Sequence, residues 1–314
     1  MELERTLSIC IPAFNEAEVI PELLRRLDSA LRQLEGVSGE IIFVNDGSTD
    51  QTQEILRDLG RRDSRIVLVC LSRNFGHQAA LIAGLHHATG DYVCLMDADL
   101  QDEPEHIPGM LARCLQGYDV VYAVRASRDS SFAKRILYRS FYRLLTAVSN
   151  VRIPPDAGDF CVMSRRVADF ISHSDEAAGF LRGVRAWAGY RQDAYPVVRP
   201  ERTLGSSKYS WSRLFRLAGR GVFSFSTVPL RLVTIIGFVS VLLAGGFGMY
   251  ALLSHLFGGG SPSGFTALLT ITIFLGGVQL LSLGIVGEYL GLMFEQSKRR
   301  PSYLVDTVER SATR

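Results

Sequence analysis

Tyr92–Asp102 reads YVCLMDADLQD. Its first half is an uncharged apolar run of strand length, and the run stops abruptly at Asp97. A strand that is apolar at successive positions is buried on both faces, as happens in parallel sheets covered by helices. Leu7–Ile11 (LSICI), Ile41–Val44 (IIFV), Ile66–Leu71 (IVLVCL) and Val120–Val124 (VVYAV) are strand-like runs of the same kind. Between them, Val19, Leu23, Leu24, Leu27, Leu31 and Leu34 recur at helical spacing. Ile55, Leu56 and Leu59 mark a second helix, and HQAALIAGLHHA after Gly76 a third, ended by Gly90. This alternation predicts an α/β, Rossmann-like, mainly parallel sheet with helices on both faces.

In such sheets the ligand lies beyond the carboxyl ends of the strands. The polar residues of this chain collect there. Pro12-Ala13-Phe14-Asn15-Glu16 follows the first run, Asn45-Asp46-Gly47-Ser48-Thr49-Asp50 the second, and Asp97-Ala98-Asp99-Leu100-Gln101-Asp102 the fourth. Turn formation and helix capping explain any one cluster as well as ligand binding does. Three clusters at strand ends point to a ligand site. Two carboxylates one residue apart, Asp97 and Asp99, concentrate negative charge that a divalent cation relieves. Hard oxygen ligands suit Mg²⁺ or Mn²⁺, and Mg²⁺ completes its shell with phosphate oxygens and water.

The 314 residues carry 34 Lys+Arg against 32 Asp+Glu, a formal charge of +2. That near-balance argues against a dedicated nucleic-acid binder. With 47% hydrophobic residues and a mean hydropathy of +0.14, disorder is excluded. The excess apolar residues lie late in the chain. Leu232–Leu253 and Phe265–Val286 are uncharged, and each is long enough to cross a ~30 Å hydrocarbon layer as a helix. Basic residues (Arg213, Arg216, Arg220, Arg231, then Lys298, Arg299, Arg300) crowd the outer flanks, whereas the linker Ser254–Gly264 has no Lys, Arg, Asp or Glu. The positive-inside rule then places both termini and the N-terminal part in the cytoplasm. Leu3–Pro12 is too short and polar for a secretory leader. Cys10, Cys70, Cys94, Cys114 and Cys161 have no CxxC spacing and are expected to be thiols in a reducing compartment. Trp211–Phe225 combines an Arg213/Arg216/Arg220 stripe with Trp211 and Phe215, the pattern of an interfacial helix. The boundaries that result are 1–208 for the α/β domain, 209–231 for the interfacial segment and 232–253 for the first span. An external linker, 254–264, the second span, 265–287, and a cytosolic tail, 288–314, complete the chain.

PAFNE, VNDGSTD and DADLQD resemble the signature segments of inverting family 2 glycosyltransferases with a GT-A fold. RNFGHQAAL, Gly158-Asp159-Phe160, GSSKYSW at Gly205–Trp211, the two spans and GEYLG at Gly287–Gly291 look like the polyprenyl-phosphate branch. That branch includes bactoprenol glucosyltransferases, lipid A aminoarabinose transferases and dolichol-phosphate mannose synthases. The resemblance implies that Pro12, Phe14, Glu16, Val44 and Asp46 embrace the nucleotide base. It implies that Asp97 and Ala98 line the ribose and diphosphate, and that Asp99 with Gln101 holds the metal. Phe14 stands where the family more often has Tyr. Arg125 and Arg128, then Arg202 and Lys208, are expected to contact phosphate. The family places an Asp near the acceptor as a proposed base. Asp159 is the candidate here and Asp156 the second, and a structural role for Asp159 stays open because an anionic phosphate acceptor needs no base.

The function expected by resemblance is transfer of a sugar from a nucleotide sugar to polyprenyl (undecaprenyl) phosphate at the cytoplasmic membrane. UDP-glucose is the first donor, with GDP-mannose or a UDP-aminoarabinose derivative as alternatives. Mg²⁺ or Mn²⁺ is the cofactor, and a homo-oligomer, tetrameric in some relatives, is expected. A processive polysaccharide synthase would carry QxxRW, which is absent. A non-catalytic scaffold would leave the carboxylate clusters without work.

Overall fold

The structure is a computed structural model that describes residues 5–34, 36–125, 157–174, 177–197, 228–257, 264–298 and 300–310. Two compact units emerge.

The first unit holds the sheet. Its strands are β1 (Arg5–Ala13), β2 (Val37–Asn45), β3 (Ile66–Leu71), β4 (Tyr92–Leu95), β5 (Val120–Arg125), β6 (Ala157–Ser164), β7 (Gln192–Val197) and β8 (Val305–Arg310). Among the described residues their order is β7-β5-β6-β4-β1-β2-β3-β8. Strands β1, β2, β3 and β4 are mutually parallel, as are β5 and β7, while β6 and β8 run against their neighbours. This is the mainly parallel α/β sheet of the GT-A type. The helices are α1 (Ile20–Leu31), α2 (Thr52–Arg62), α3 (His77–His87), α4 (Ile107–Leu115), α5 (Arg165–Ser172) and α6 (Ala177–Trp187).

Two apolar clusters account for the architecture. One, on the face of α1 and α4, gathers Ile9, Ile11, Phe43, Leu23, Leu27 and Met110; the other gathers Ile42, Val44, Val69, Leu81, Met163 and Ile171 under α3 and α5. Successive strand residues point to opposite faces, so strands covered on both sides must be apolar throughout. Helix α1 shows the matching helical logic. Ile20, Leu23, Leu27, Ala30 and Leu31 are buried on one stripe, and Pro21 sits in the first turn where no N–H is needed. Each buried Leu or Ile contributes roughly 1.5–3 kcal/mol. The five cysteines are buried thiols.

Three strands, β6, β7 and β8, had no counterpart in the sequence reading, and β7 pairs in parallel with β5. Antiparallel β6 pairs with both β4 and β5, so its beginning, not its end, lies at the carboxyl edge of β4. The tail after the second apolar run is not an appendage. Its β8 pairs with β3, Leu304 O accepts from Ser72 N–H, and Glu309 forms a forked ion pair with Arg57 at 2.8–3.0 Å.

The second unit contains α7 (Val228–Leu256) and α8 (Phe265–Ser297). Leu230–Tyr250 and Phe274–Phe294 within them are long and apolar enough to cross a membrane. Large apolar side chains such as Phe238, Leu243, Leu280 and Met293 are exposed. Both helices run past the expected span limits, and α8 continues about two and a half turns beyond Glu288. The expected interfacial segment Trp211–Phe225 lies outside the described residues.

Candidate active site

The carboxyl ends of β1, β2 and β4 open into a cleft of about 350 Å³. The end of β1 supplies Pro12 and Ala13, the loop after it Phe14 and Glu16, and the loop after β2 Asp46. Asn74, Gly76 and His77 come from the junction of β3 and α3. Asp97, Ala98 and Asp99 come from the loop after β4.

Side-chain-to-backbone hydrogen bonds lace these loops together. Asn15 N–H donates to Ser48 Oγ (3.1 Å), Thr49 N–H to Asn15 Oδ1 (2.8 Å) and Glu16 N–H to Thr52 Oγ1 (2.9 Å). Asp46 is almost fully buried, and its carboxylate accepts from Phe75 N–H (2.7 Å) and Gly76 N–H (2.9 Å). Gly47 lets that loop approach closely. Its φ is +67°, and a Cβ there would meet the Arg73 backbone carbon and the Asn74 nitrogen at 2.6 Å. Asp102 closes the acidic turn by accepting from Asp97 N–H (3.1 Å), and Gln101 N–H donates to Asp99 Oδ1 (3.1 Å). Among the described residues, two other than glycine hold positive φ, Asn15 (57°) and Leu100 (58°). Both lie in cleft loops, and Leu has no side-chain hydrogen bond to ease that conformation.

The other wall is ionic. Because β6 is antiparallel, Asp159 near its start comes to the carboxyl edge beside Asp97. It is 7% exposed. Arg182 of α6 grips it with Nε on Oδ1 (2.7 Å) and Nη2 on Oδ2 (2.9 Å). Gln78 donates to Asp159 Oδ2 (3.2 Å) and accepts from Leu181 N–H (3.2 Å), tying α3 to the kink of α6 at Phe180. His77 Nε2 lies 3.3 Å from Asp97 Oδ1 and 3.7 Å from Asp159 Oδ2. Burial alone would raise the Asp159 pKa; His77, Arg182 and the charge of Arg185 outweigh it and hold the carboxyl well below the usual carboxylate range. Burial would lower the His77 pKa, but the Asp159 and Asp97 carboxylates raise it instead.

A sequence model of glycosyl transferase family 2 matches residues 8–171, a span that includes the cleft-lining residues and Asp159 but ends before Arg182. The chain belongs to glycosyl transferase family 2. It is similar, at 41% identity over 95% of this chain and 94% of the relative, to a glycosyltransferase of Synechocystis sp.. It is 38% identical to a prophage bactoprenol glucosyl transferase homolog of Escherichia coli, over 97% of this chain and 99% of that one. Among solved structures, glucosyl-3-phosphoglycerate synthase of Mycobacterium tuberculosis aligns at 22% identity with a TM-score of 0.47, over 71% of this chain and 81% of that one.

In this glycosyltransferase, Pro12, Phe14, Glu16, Asp46, Asp97, Ala98 and Asp99 line one cleft. Val44 does not. It is fully buried beneath α3, with its side chain near Gly84, because this end of the strand is covered on both faces. Arg125 ends β5. Arg128, Asp156, Arg202 and Lys208 lie outside the described residues. Among the described residues no group of three or more His, Cys, Asp or Glu side chains forms a metal cage. Asp99, backed by Asp97 in the same cleft, fits a Mg²⁺-like ion that takes one or two carboxylates and completes its shell with phosphate and water.

His77, Gln78 and Arg182 were missed from sequence. His77 carried a usable signal, since Ser72-Arg73-Asn74-Phe75-Gly76-His77 is a fourth polar cluster at a strand end. Arg182 carried none, because it reaches Asp159 only through the antiparallel course of β6.

Proposed function

We propose that this glycosyltransferase is a membrane-anchored inverting enzyme that transfers glucose from UDP-glucose to polyprenyl (undecaprenyl) phosphate. The observation that carries the reading is one cleft combining an exposed aromatic, Phe14, with Asp46, Asp97 and Asp99, in a chain that also bears two membrane-length apolar helices. The similarity to a bactoprenol glucosyl transferase homolog over nearly the whole of both chains supports the acceptor.

In this reading Phe14 stacks on the base at the cleft mouth, with Pro12, Glu16 and Asp46 around it. Asp97 and Ala98 line the ribose and diphosphate. Asp99, with Gln101, holds Mg²⁺ or Mn²⁺, which supplies charge neutralisation for a departing diphosphate. Arg125, Arg128, Arg202 and Lys208 contribute phosphate contacts. In-line attack by the acceptor oxygen inverts the anomeric centre, and positioning matters more than deprotonation. Asp159 is a weak base with its carboxyl held so acidic, since general-base catalysis wants a pKa near the working pH.

Chain connectivity supports the topology. Strands β7 and β8 belong to one sheet, and α7 and α8 lie between them in sequence. Two crossings by these helices would leave and return on one side of a membrane, and the basic flanks support a cytoplasmic assignment for that side. Full-length protein given UDP-[¹⁴C]glucose, Mg²⁺ and undecaprenyl phosphate is expected to yield labelled lipid. No labelled lipid from UDP-glucose, GDP-mannose or a UDP-aminoarabinose derivative overturns the reading.

A further inference from the structure

The cleft wall that would hold the donor is acidic. Glu16, Asp46, Asp97 and Asp99 line it, and His77 is the basic side chain among its described lining residues. A phosphate acceptor approaching that wall is repelled unless cations receive it. Those cations gather around Asp159. Arg182 is 39% exposed while its guanidinium holds the buried carboxylate, and His77, 42% exposed, reaches both Asp159 and Asp97.

Arg185 adds a second argument. It is 2% exposed, its Nη1 donates to Gly158 O (3.2 Å), and its guanidinium lies 5.0 Å over the Tyr122 ring. Among the described residues no carboxylate lies within ion-pair distance of it, and its buried Nε has no hydrogen-bond partner. One carboxylate, Asp159, thus stands among two arginines and a histidine. Three cations that share one carboxylate leave buried positive charge only partly balanced, which is costly, and an arriving anion relieves it.

We propose that Arg182 and His77, with Arg185 behind them, form the site that receives the acceptor phosphate, and that Asp159 is the residue that positions them. This rests on the polyprenyl-phosphate reading above. A phosphate oxygen of the acceptor attacks the anomeric carbon. The new carbon–oxygen bond forms as the bond to the nucleoside diphosphate breaks, and that electron pair leaves with the diphosphate. No proton changes hands, because a phosphate monoester is already largely dianionic near neutral pH. Asp159 keeps the Arg182 fork oriented and the site dry.

The test is steady-state kinetics of the full chain in detergent, varying undecaprenyl phosphate and UDP-glucose separately. Arg182→Gln is expected to raise KM for the lipid about tenfold or more, with KM for the donor and UDP affinity little changed. Arg182→Lys recovers part of the loss. The double variant Asp159→Asn/Arg182→Gln removes the buried ion pair from both sides. It is expected to keep the high lipid KM relative to Asp159→Asn alone. Equal lipid KM in those two variants means Arg182 only neutralises Asp159, and overturns the proposal, as does a rise confined to donor KM. Wild-type protein that makes no lipid product with any donor counts against the acceptor reading itself, so the two failures are distinguishable.

Discussion

The two walls of the cleft are built differently. Loops after β1, β2 and β4 make the first, and short side-chain-to-backbone hydrogen bonds hold their backbones in shape, accepted by Asn15, Ser48 and Thr52 between the first two loops and by Asp99 and Asp102 within the third. Charged side chains make the second, reaching from α3 and α6 to a single buried carboxylate, Asp159. The first wall is a rigid surface whose form is set within a few residues of each strand. The second depends on the mutual placement of elements far apart in sequence. A backbone-shaped wall suits a ligand held the same way every turn, such as a nucleotide, while long charged side chains suit an anion that arrives and leaves.

Four perturbations test that contrast. Removing the carboxylate proposed to hold the metal, Asp99→Ala, is expected to lower kcat on the order of 100-fold or more. Metal-titrated turnover checks it, and activity at wild-type levels and wild-type metal concentration breaks the assignment of the first wall. Gly47→Ala strikes the backbone of the same wall. The close contact with Arg73 and Asn74, together with a positive φ, is expected to cost about 2 kcal/mol or more. Thermal unfolding with and without UDP reads both the loss of stability and the loss of nucleotide binding.

His77→Gln probes where the walls meet. His77 has its pKa raised above the ordinary 6.5, so its stabilising contribution is complete below that value and disappears as pH rises through the raised one. The wild-type advantage in melting temperature over His77→Gln should therefore be greatest in mildly acidic buffer and shrink from pH 6.5 upward. A constant difference across that range would show that the Asp97 and Asp159 charges do not govern His77. The smallest effect is expected from Arg57→Gln, which cuts the partly exposed fork to Glu309 on the β3–β8 edge. Such a pair contributes under about 1 kcal/mol. Kinetics unchanged within error would separate ion pairs that merely fasten the sheet from those that face the reaction.

How much of this was legible beforehand follows from range. The strand runs of β1 to β5 and the helices between them were readable, because two-sided burial writes uninterrupted apolar residues into the sequence. Asp46, Asp97 and Asp99 were readable as a site because each lies within four residues of a strand end. The burial of Val44 was not readable in the same way. Its position in the chain resembles that of its neighbours, and only the packing of α3 above it shows that it faces the core.

The sequence by itself determined an α/β sheet of mainly parallel strands, an acidic strand-end cluster and two membrane-length apolar runs, since each depends on residues near one another along the chain. Tertiary structure alone decided that β6 enters antiparallel, that Asp159 consequently faces Arg182 and His77, and that the last strand returns to the sheet beside β3. Those outcomes depend on which strand edge is free to pair and which charge lies across a gap. Neither quantity has a local period, so neither leaves a pattern that can be read before the chain is folded.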